Sequence, residues 1–301
     1  MNKEHTHSIK RTIYASKETV WKFLLSPEFY RNAWVAKLTT NWVEKSTVQF
    51  TGFWEGVEYT DKGVVTICKE NQQLEFTYWS SFWDAPDLPE EYCKISYILN
   101  QLDDYCCKLT IKQTGFRDDK HFADTVEMWD TTIEIAKLEA EKLDLIDITN
   151  QTFEKLISYI DSIDERNYNK PVKTGWNTAM FVEHIILGNS EMKQFLLTAP
   201  LPLTLPYDMN IENIRKLMTN TIVKLVSPNY LIPEQKMYAI EKHKTTLLQI
   251  QVEIIDCILE VDLKQKCGAS DMPGFGFMSN FEWLNFSVFH IMRHTNQLVS
   301  Y

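Results

Sequence analysis

Hydrophobic and polar positions alternate near the start of the chain, then change rhythm abruptly. Ile9, Arg11 and Ile13 interleave with Lys10, Thr12 and Tyr14, the two-residue period of a half-buried strand. Ser16 stands where it can cap a helix whose apolar face is Val20, Trp21, Phe23 and Leu24, closed by Ser26-Pro27. Short strands are predicted over 47–54, 63–69, 74–79, 93–99 and 106–113. Turn material at Asp61-Lys-Gly63, Glu70-Asn71 and Asp103-Asp104 separates them. This spacing implies a meandering antiparallel sheet. A helix over 119–143 follows, where Phe122, Val126, Trp129, Ile133, Ala136, Ala140 and Leu143 form one apolar stripe to lie along the sheet.

Past Leu143 the strand period disappears, which places a domain boundary at 143/144. Helices are predicted over 147–163, 177–197, 210–225, 233–259 and 280–298. Asn177 and Ser279 or Asn280 serve as caps, and Pro233 sits in a first turn. Four or five helices with one long crossover make a bundle. The expected fold is therefore two domains: an α+β helix-grip, with an antiparallel sheet around a long C-terminal helix, over 1–143, and an all-α four-helix bundle over 144–301.

Residues 7–143 resemble the START/Bet v 1-like (SRPBCC) superfamily, on the branch related to the Hsp90 ATPase activator C-terminal domain. Ile13-Tyr-Ala-Ser-Lys-Glu-Thr-Val-Trp21, Ser26-Pro27-Glu28, Gly63-Val-Val65, Leu74-Glu-Phe-Thr-Tyr78 and Trp129 carry the resemblance. It implies an apolar ligand cavity between sheet and helix, with Trp54, Phe76, Trp79, Phe82, Trp83 and Trp129 as candidate lining. The same aromatics would serve equally as plain core. The segment 80–91, with Pro86 and Pro89, reads as a loop placed to act as a lid. His121 reads as a surface residue.

Composition narrows the classes. The 301 residues are 44% hydrophobic and 24% charged, ordinary globular material. No run approaches the ~18 apolar residues of a membrane span, and no apolar signal core follows Met1, so no membrane association and a cytoplasmic location are expected. The net charge of −10 is shared. Residues 1–142 carry 17 Lys and Arg against 23 Asp and Glu, and the remainder 14 against 18, which argues against nucleic acid as a partner. Six cysteines without a CxxC pair read as free thiols rather than a thiolate metal site.

The remaining chemistry is in histidines. His290 and His294 stand four apart on the last helix, on one face. Ile291 replaces the Glu that a zincin motif would place after the first of them. Residues 146–301 resemble the DinB-like (DinB/YfiT) four-helix-bundle superfamily. The resemblance is carried by Gly175-Trp176 with His184 eight residues after the Trp, Pro273-Gly-Phe-Gly276, and Glu282-Trp283-Leu284 leading to His290, His294 and Gln297-Leu298. It implies that His184, His290 and His294 hold one divalent metal, zinc or nickel. Three protein ligands leave an open position, as in catalytic zinc. The activity so implied is transfer of a low-molecular-weight thiol to a small electrophile, or hydrolysis; no further catalytic residue is legible. The alternative is a non-catalytic binder of a small molecule whose helical bundle mediates homodimerisation. His243 reads as a helix-surface residue, and Arg293 as a partner for a substrate carboxylate or an acidic neighbour.

Overall fold

The computed structural model describes residues 5–300 except 174, 221 and 224. The chain divides into two compact units, residues 1–144 and 145–301.

The first unit is built on a seven-stranded sheet of order β1-β7-β6-β5-β4-β3-β2, antiparallel throughout. Its strands are β1 (Thr6–Ile13), β2 (Lys37–Thr39), β3 (Thr47–Trp54), β4 (Val57–Lys69), β5 (Gln73–Tyr78), β6 (Cys93–Asp103) and β7 (Cys106–Thr114). Between β1 and β2 lie α1 (Lys17–Leu25) and α2 (Pro27–Trp34). Ser16 caps α1 by accepting from the Thr19 amide. Ser26 caps α2 by accepting from the Phe29 amide, with Pro27 at the first helical position.

Asp61-Lys-Gly63 is not a turn. It lies inside β4, which pairs with β3 up to Val64 and with β5 from Val65 onward. Gly63 is needed where β4 changes partner, because a Cβ there would fall 1.6 Å from the Thr77 carbonyl oxygen. The true turn is Glu55-Gly56, both at positive φ, joining Trp54 to Val57.

The helix expected to end at Leu143 and restart at Asp147 is one 43-residue helix, α3 (Asp119–Asp161). The connecting residues contain neither Gly nor Pro, so nothing breaks it. In the first unit Trp129 of α3 is fully buried, and its Nε1 donates to Gln113 Oε1 of β7 at 2.7 Å. Farther along, Glu141 accepts from the Tyr14 amide and Asp144 from the Ser16 amide, both at 2.9 Å, tying the β1–α1 turn to α3.

The interior between sheet and helices is a network of rings. Trp34 lies 5.0 Å from Phe50 and 5.8 Å from Trp129, and Phe76 lies 6.1 Å from Phe50 and 5.9 Å from Tyr97. Of the candidate cavity residues, Phe76 and Trp129 belong to this core. Trp79 is half-buried under the Lys62 ammonium, and Trp83 is half-buried against Tyr78 and His121. Trp54 is 57% exposed at the hairpin end and does not line the interior.

The second unit is helical. It contains the end of α3, α4 (Glu165–Tyr168), α5 (Thr178–Asn189), α6 (Met192–Leu197), α7 (Ile211–Thr219), α8 (Ile240–Glu260) and α9 (Asn280–Val299), with a small pair β8 (Pro200–Leu201) and β9 (Lys266–Cys267). The single helix expected over 177–197 is interrupted at Glu191, which takes a left-handed conformation. Helix α8 begins at Ile240 rather than near Pro233. All six cysteines are free. Among the described residues no helix is long and apolar enough to cross a membrane.

Trp129→Ala removes a fully buried ring and its hydrogen bond, and is expected to lower the stability of the first unit by about 3–5 kcal/mol in urea unfolding. A loss below about 1 kcal/mol would show that the ring is not part of the core.

Candidate metal centre

Helix α5 starts where Asn177 accepts from the Met180 amide at 2.9 Å, and it carries His184 inward. Helix α9 starts at a reciprocal cap: Ser279 Oγ accepts from the Glu282 amide, and the Glu282 carboxylate accepts from the Ser279 amide. About three turns later α9 presents His290, and one turn beyond that His294.

The structure brings His184, His290 and His294 together, with one ring nitrogen of each inside a 4.8 Å group. His290 Nε2 lies 3.3 Å from His184 Nε2 and 3.0 Å from His294 Nε2. The opposite nitrogens fix the tautomers. His184 Nδ1 is 2.8 Å from the Leu231 carbonyl oxygen, and His294 Nδ1 is 2.8 Å from Gln297 Oε1. Both oxygens only accept, so both Nδ1 atoms carry the hydrogen and both Nε2 atoms present a lone pair. His290 Nε2 can supply one hydrogen at most, so lone pairs are left facing one another.

The three imidazoles are held neutral. Burial lowers the pKa of His184. Burial, then the proximity of His294 and His184, lowers that of His290 well below the usual value. Burial, then His184, brings His294 down to about 4. Aromatic rings wall the group: Trp176 lies 4.8 Å from His184, Phe181 5.5 Å from His294, and Phe286 stacks on His290 at 5.9 Å.

Three other charged or titratable residues differ from their sequence reading. His243 is buried rather than on the surface, with Nδ1 2.6 Å from Tyr168 Oη and Nε2 3.1 Å from Glu183 Oε2. Among the described residues Arg293 pairs with no acid. Its buried guanidinium donates to the carbonyls of Leu217, Met218, Asn220 and Val223, closing the C-terminal end of α7. His121 is half-buried between Trp83 and Phe116. Gln297 could have been found in the sequence as the residue three positions after His294. The Leu231 carbonyl gives no sequence signal, since any residue supplies one.

The depressed histidine pKa values set the pH dependence of the metal-free protein. Between pH 6.5 and about 4 the unfolded chain takes up protons on these imidazoles that the folded chain does not. Stability is therefore fully present above 6.5 and lost as pH falls. Urea midpoints at pH 7.5, 6 and 5 should decrease in that order, and His294→Gln should flatten the trend. An unchanged slope in that variant would show that His294 is not held neutral by the fold.

Residues 14–141 match the family model described as activator of Hsp90 ATPase homolog 1-like protein. No curated protein matches the chain. Among solved structures, the solution structure of a Cytophaga hutchinsonii protein is 27% identical, over 46% of this chain and 94% of that one, with a TM-score of 0.41. The Aha1 dimer from Colwellia psychrerythraea is 16% identical over 46% and 96%, with a TM-score of 0.37. An HSP90 activator from Plasmodium falciparum is 10% identical over 41% and 86%, with a TM-score of 0.34. With the seven-stranded sheet and the long helix, the family match makes the first unit a helix-grip domain similar to this activator family.

Proposed function

We propose that residues 145–301 form a DinB-like four-helix bundle that holds one divalent metal, zinc or nickel, on His184, His290 and His294. In this reading the chain is a metal-dependent enzyme that transfers a low-molecular-weight thiol to a small electrophile, or hydrolyses it. The observation that carries the reading is the convergence of three neutral imidazole nitrogens, two of them fixed as lone pairs by hydrogen bonds behind them. A cation held by the three imidazoles would turn this repulsive contact into ligation. Nitrogens about 2.0–2.1 Å from a tetrahedral zinc ion would lie ~3.3 Å apart; the two Nε2 pairs that include His290 stand at 3.3 and 3.0 Å, and all three ligand nitrogens lie within 4.8 Å of one another.

A metal at this point supplies Lewis acidity toward a carbonyl or a thiol. The chain's own residues keep the imidazoles neutral by burial and hold their planes through Leu231 and Gln297. They also pack the rings of Trp176, Phe181 and Phe286 around the imidazoles. Three ligands leave coordination positions for substrate. The non-catalytic alternative draws less support, because it relies on a cavity where rings of the first unit pack against one another.

Metal analysis of untagged protein, followed by zinc titration of the dialysed chain, tests the reading. One equivalent should bind tightly, and His290→Ala and His294→Ala should abolish that binding while leaving the fold intact. Gln297→Met should weaken it by about 10–100-fold. Zinc occupancy should fall with pH only below the ordinary imidazole range, because burial lowers the pKa of each of the three ligands. Failure of the wild-type chain to bind zinc or nickel would sink the proposal.

A further inference from the structure

The Leu231 carbonyl that fixes the His184 tautomer lies on an irregular strap, residues 228–239, that leads into α8. The start of the strap is folded locally: the Leu231 amide donates to the Pro228 carbonyl and the Ile232 amide to the Asn229 carbonyl. Residues 234–237 are exposed, and within 228–239 only Pro233 and Tyr238 are buried. Burial gives so open a segment little hold, so its carbonyl has to be placed from elsewhere.

The anchor is Asn169, which is buried at the C-terminal end of α4. Its Oδ1 accepts from the Tyr238 amide at 2.8 Å, and its Nδ2 donates to the Tyr238 carbonyl at 2.9 Å. A side-chain amide carries both the acceptor and the donor that one residue's backbone needs; a carboxylate lacks the donor, and an aliphatic chain lacks both. From Tyr238 the constraint runs back along the strap. Tyr238 Oη donates to the Glu234 carbonyl at 2.8 Å, and the adjacent Pro233 is buried with its φ fixed by the ring. Leu231 stands two residues before it. The backbone carbonyl of Asn169 meanwhile accepts from Asn177 Nδ2 at 3.3 Å, and Asn177 caps the helix that carries His184. His184 and its acceptor are thus both referred to one residue.

We propose that Asn169 is a positioning residue of the histidine centre. It acts through Tyr238 and the strap to hold the Leu231 carbonyl at His184 Nδ1, which keeps the Nε2 lone pair of His184 turned toward His290. Its part in metal binding rests on the metal reading, while its part in orienting His184 stands on the hydrogen bonds alone. His294 needs no such support, because Gln297 on its own helix orients it. Asn169 therefore governs one imidazole and not another, which separates positioning from general support of the fold.

The test uses the full-length protein with isotope-labelled histidine, first metal-free and then titrated with zinc. Long-range proton–nitrogen spectra report which ring nitrogen of each histidine carries the hydrogen. In the metal-free wild-type chain His184 and His294 should both be single tautomers with the hydrogen on Nδ1. Asn169→Ala should turn His184 into a mixture of tautomers, leave His294 unchanged and weaken zinc binding about tenfold. Tyr238→Phe keeps the backbone pair with Asn169 and breaks only the link to Glu234. It should shift His184 alone in the same direction, with zinc affinity about threefold weaker, and it takes the place of Asn169→Ala should that variant fail to fold. A wild-type His184 without a single Nδ1 tautomer, a His184 tautomer unchanged in the folded variant, or His184 and His294 disturbed together, overturns this inference alone. Absence of zinc binding by the wild-type chain overturns the metal reading and the part of Asn169 in metal binding, and the tautomer of His184 then decides the orienting role.

Discussion

Helix α9 must bury polar groups along much of its length, and the second unit is arranged to satisfy them. Glu282 accepts from the Asn210 amide at 2.7 Å, and Asn285 Oδ1 takes two donors from Arg215 at 3.0 and 2.8 Å. Ser287 donates to Asn189 of α5, and Arg293 gathers the carbonyls at the end of α7. An unpaired buried amide, carboxylate or guanidinium costs several kcal/mol, so each contact restricts where α5 and α7 can lie. A helix buried only through leucines would tolerate a small rotation or slide. This one is fixed in register by the chemistry of its partners.

That register is what brings His184 to the other two histidines. His184 and Asn189 stand on the same helix, so the Ser287–Asn189 bond sets the height of α5 against α9. The segment after α7 is held at its start by Arg293, and its Leu231 carbonyl receives the His184 hydrogen. The orientation of an imidazole on α5 is thus determined partly by residues on α9. Arg293 also contributes electrostatically: a fixed cation beside His290 and His294 disfavours their protonation, acting in the same direction as burial.

The first unit solves a different problem. Its sheet and the first part of α3 enclose large rings, and Trp129 anchors there by both volume and its bond to Gln113. The carboxylates of Glu141 and Asp144 are buried because they accept backbone amides of the β1–α1 turn, where an apolar side chain would leave those amides unpaired. Polar residues in an otherwise apolar helix stripe here mark a loop crossing, not a catalytic site.

The alternation and helical periods of the sequence determined many of the elements, though not all of their limits. Strand β3 has the expected limits, the caps at Ser16, Asn177 and Ser279 act as caps, and the apolar stripe of α3 faces inward through Trp129, Ile133, Ala136 and Ala140. These are local properties, set within a few residues by backbone sterics and hydrogen-bond supply. The i, i+4 spacing of His290 and His294 is equally local. Everything involving a distant partner was decided by tertiary structure. Nothing near Gly63 announces the carbonyl of Thr77, and nothing near His243 announces Tyr168 and Glu183. Trp54 and Trp129 are the same residue type in strand and helix patterns, yet one ends exposed and the other fully buried. Periodicity names the face of an element, but only the elements packed against it decide whether that face meets core, solvent or a third imidazole.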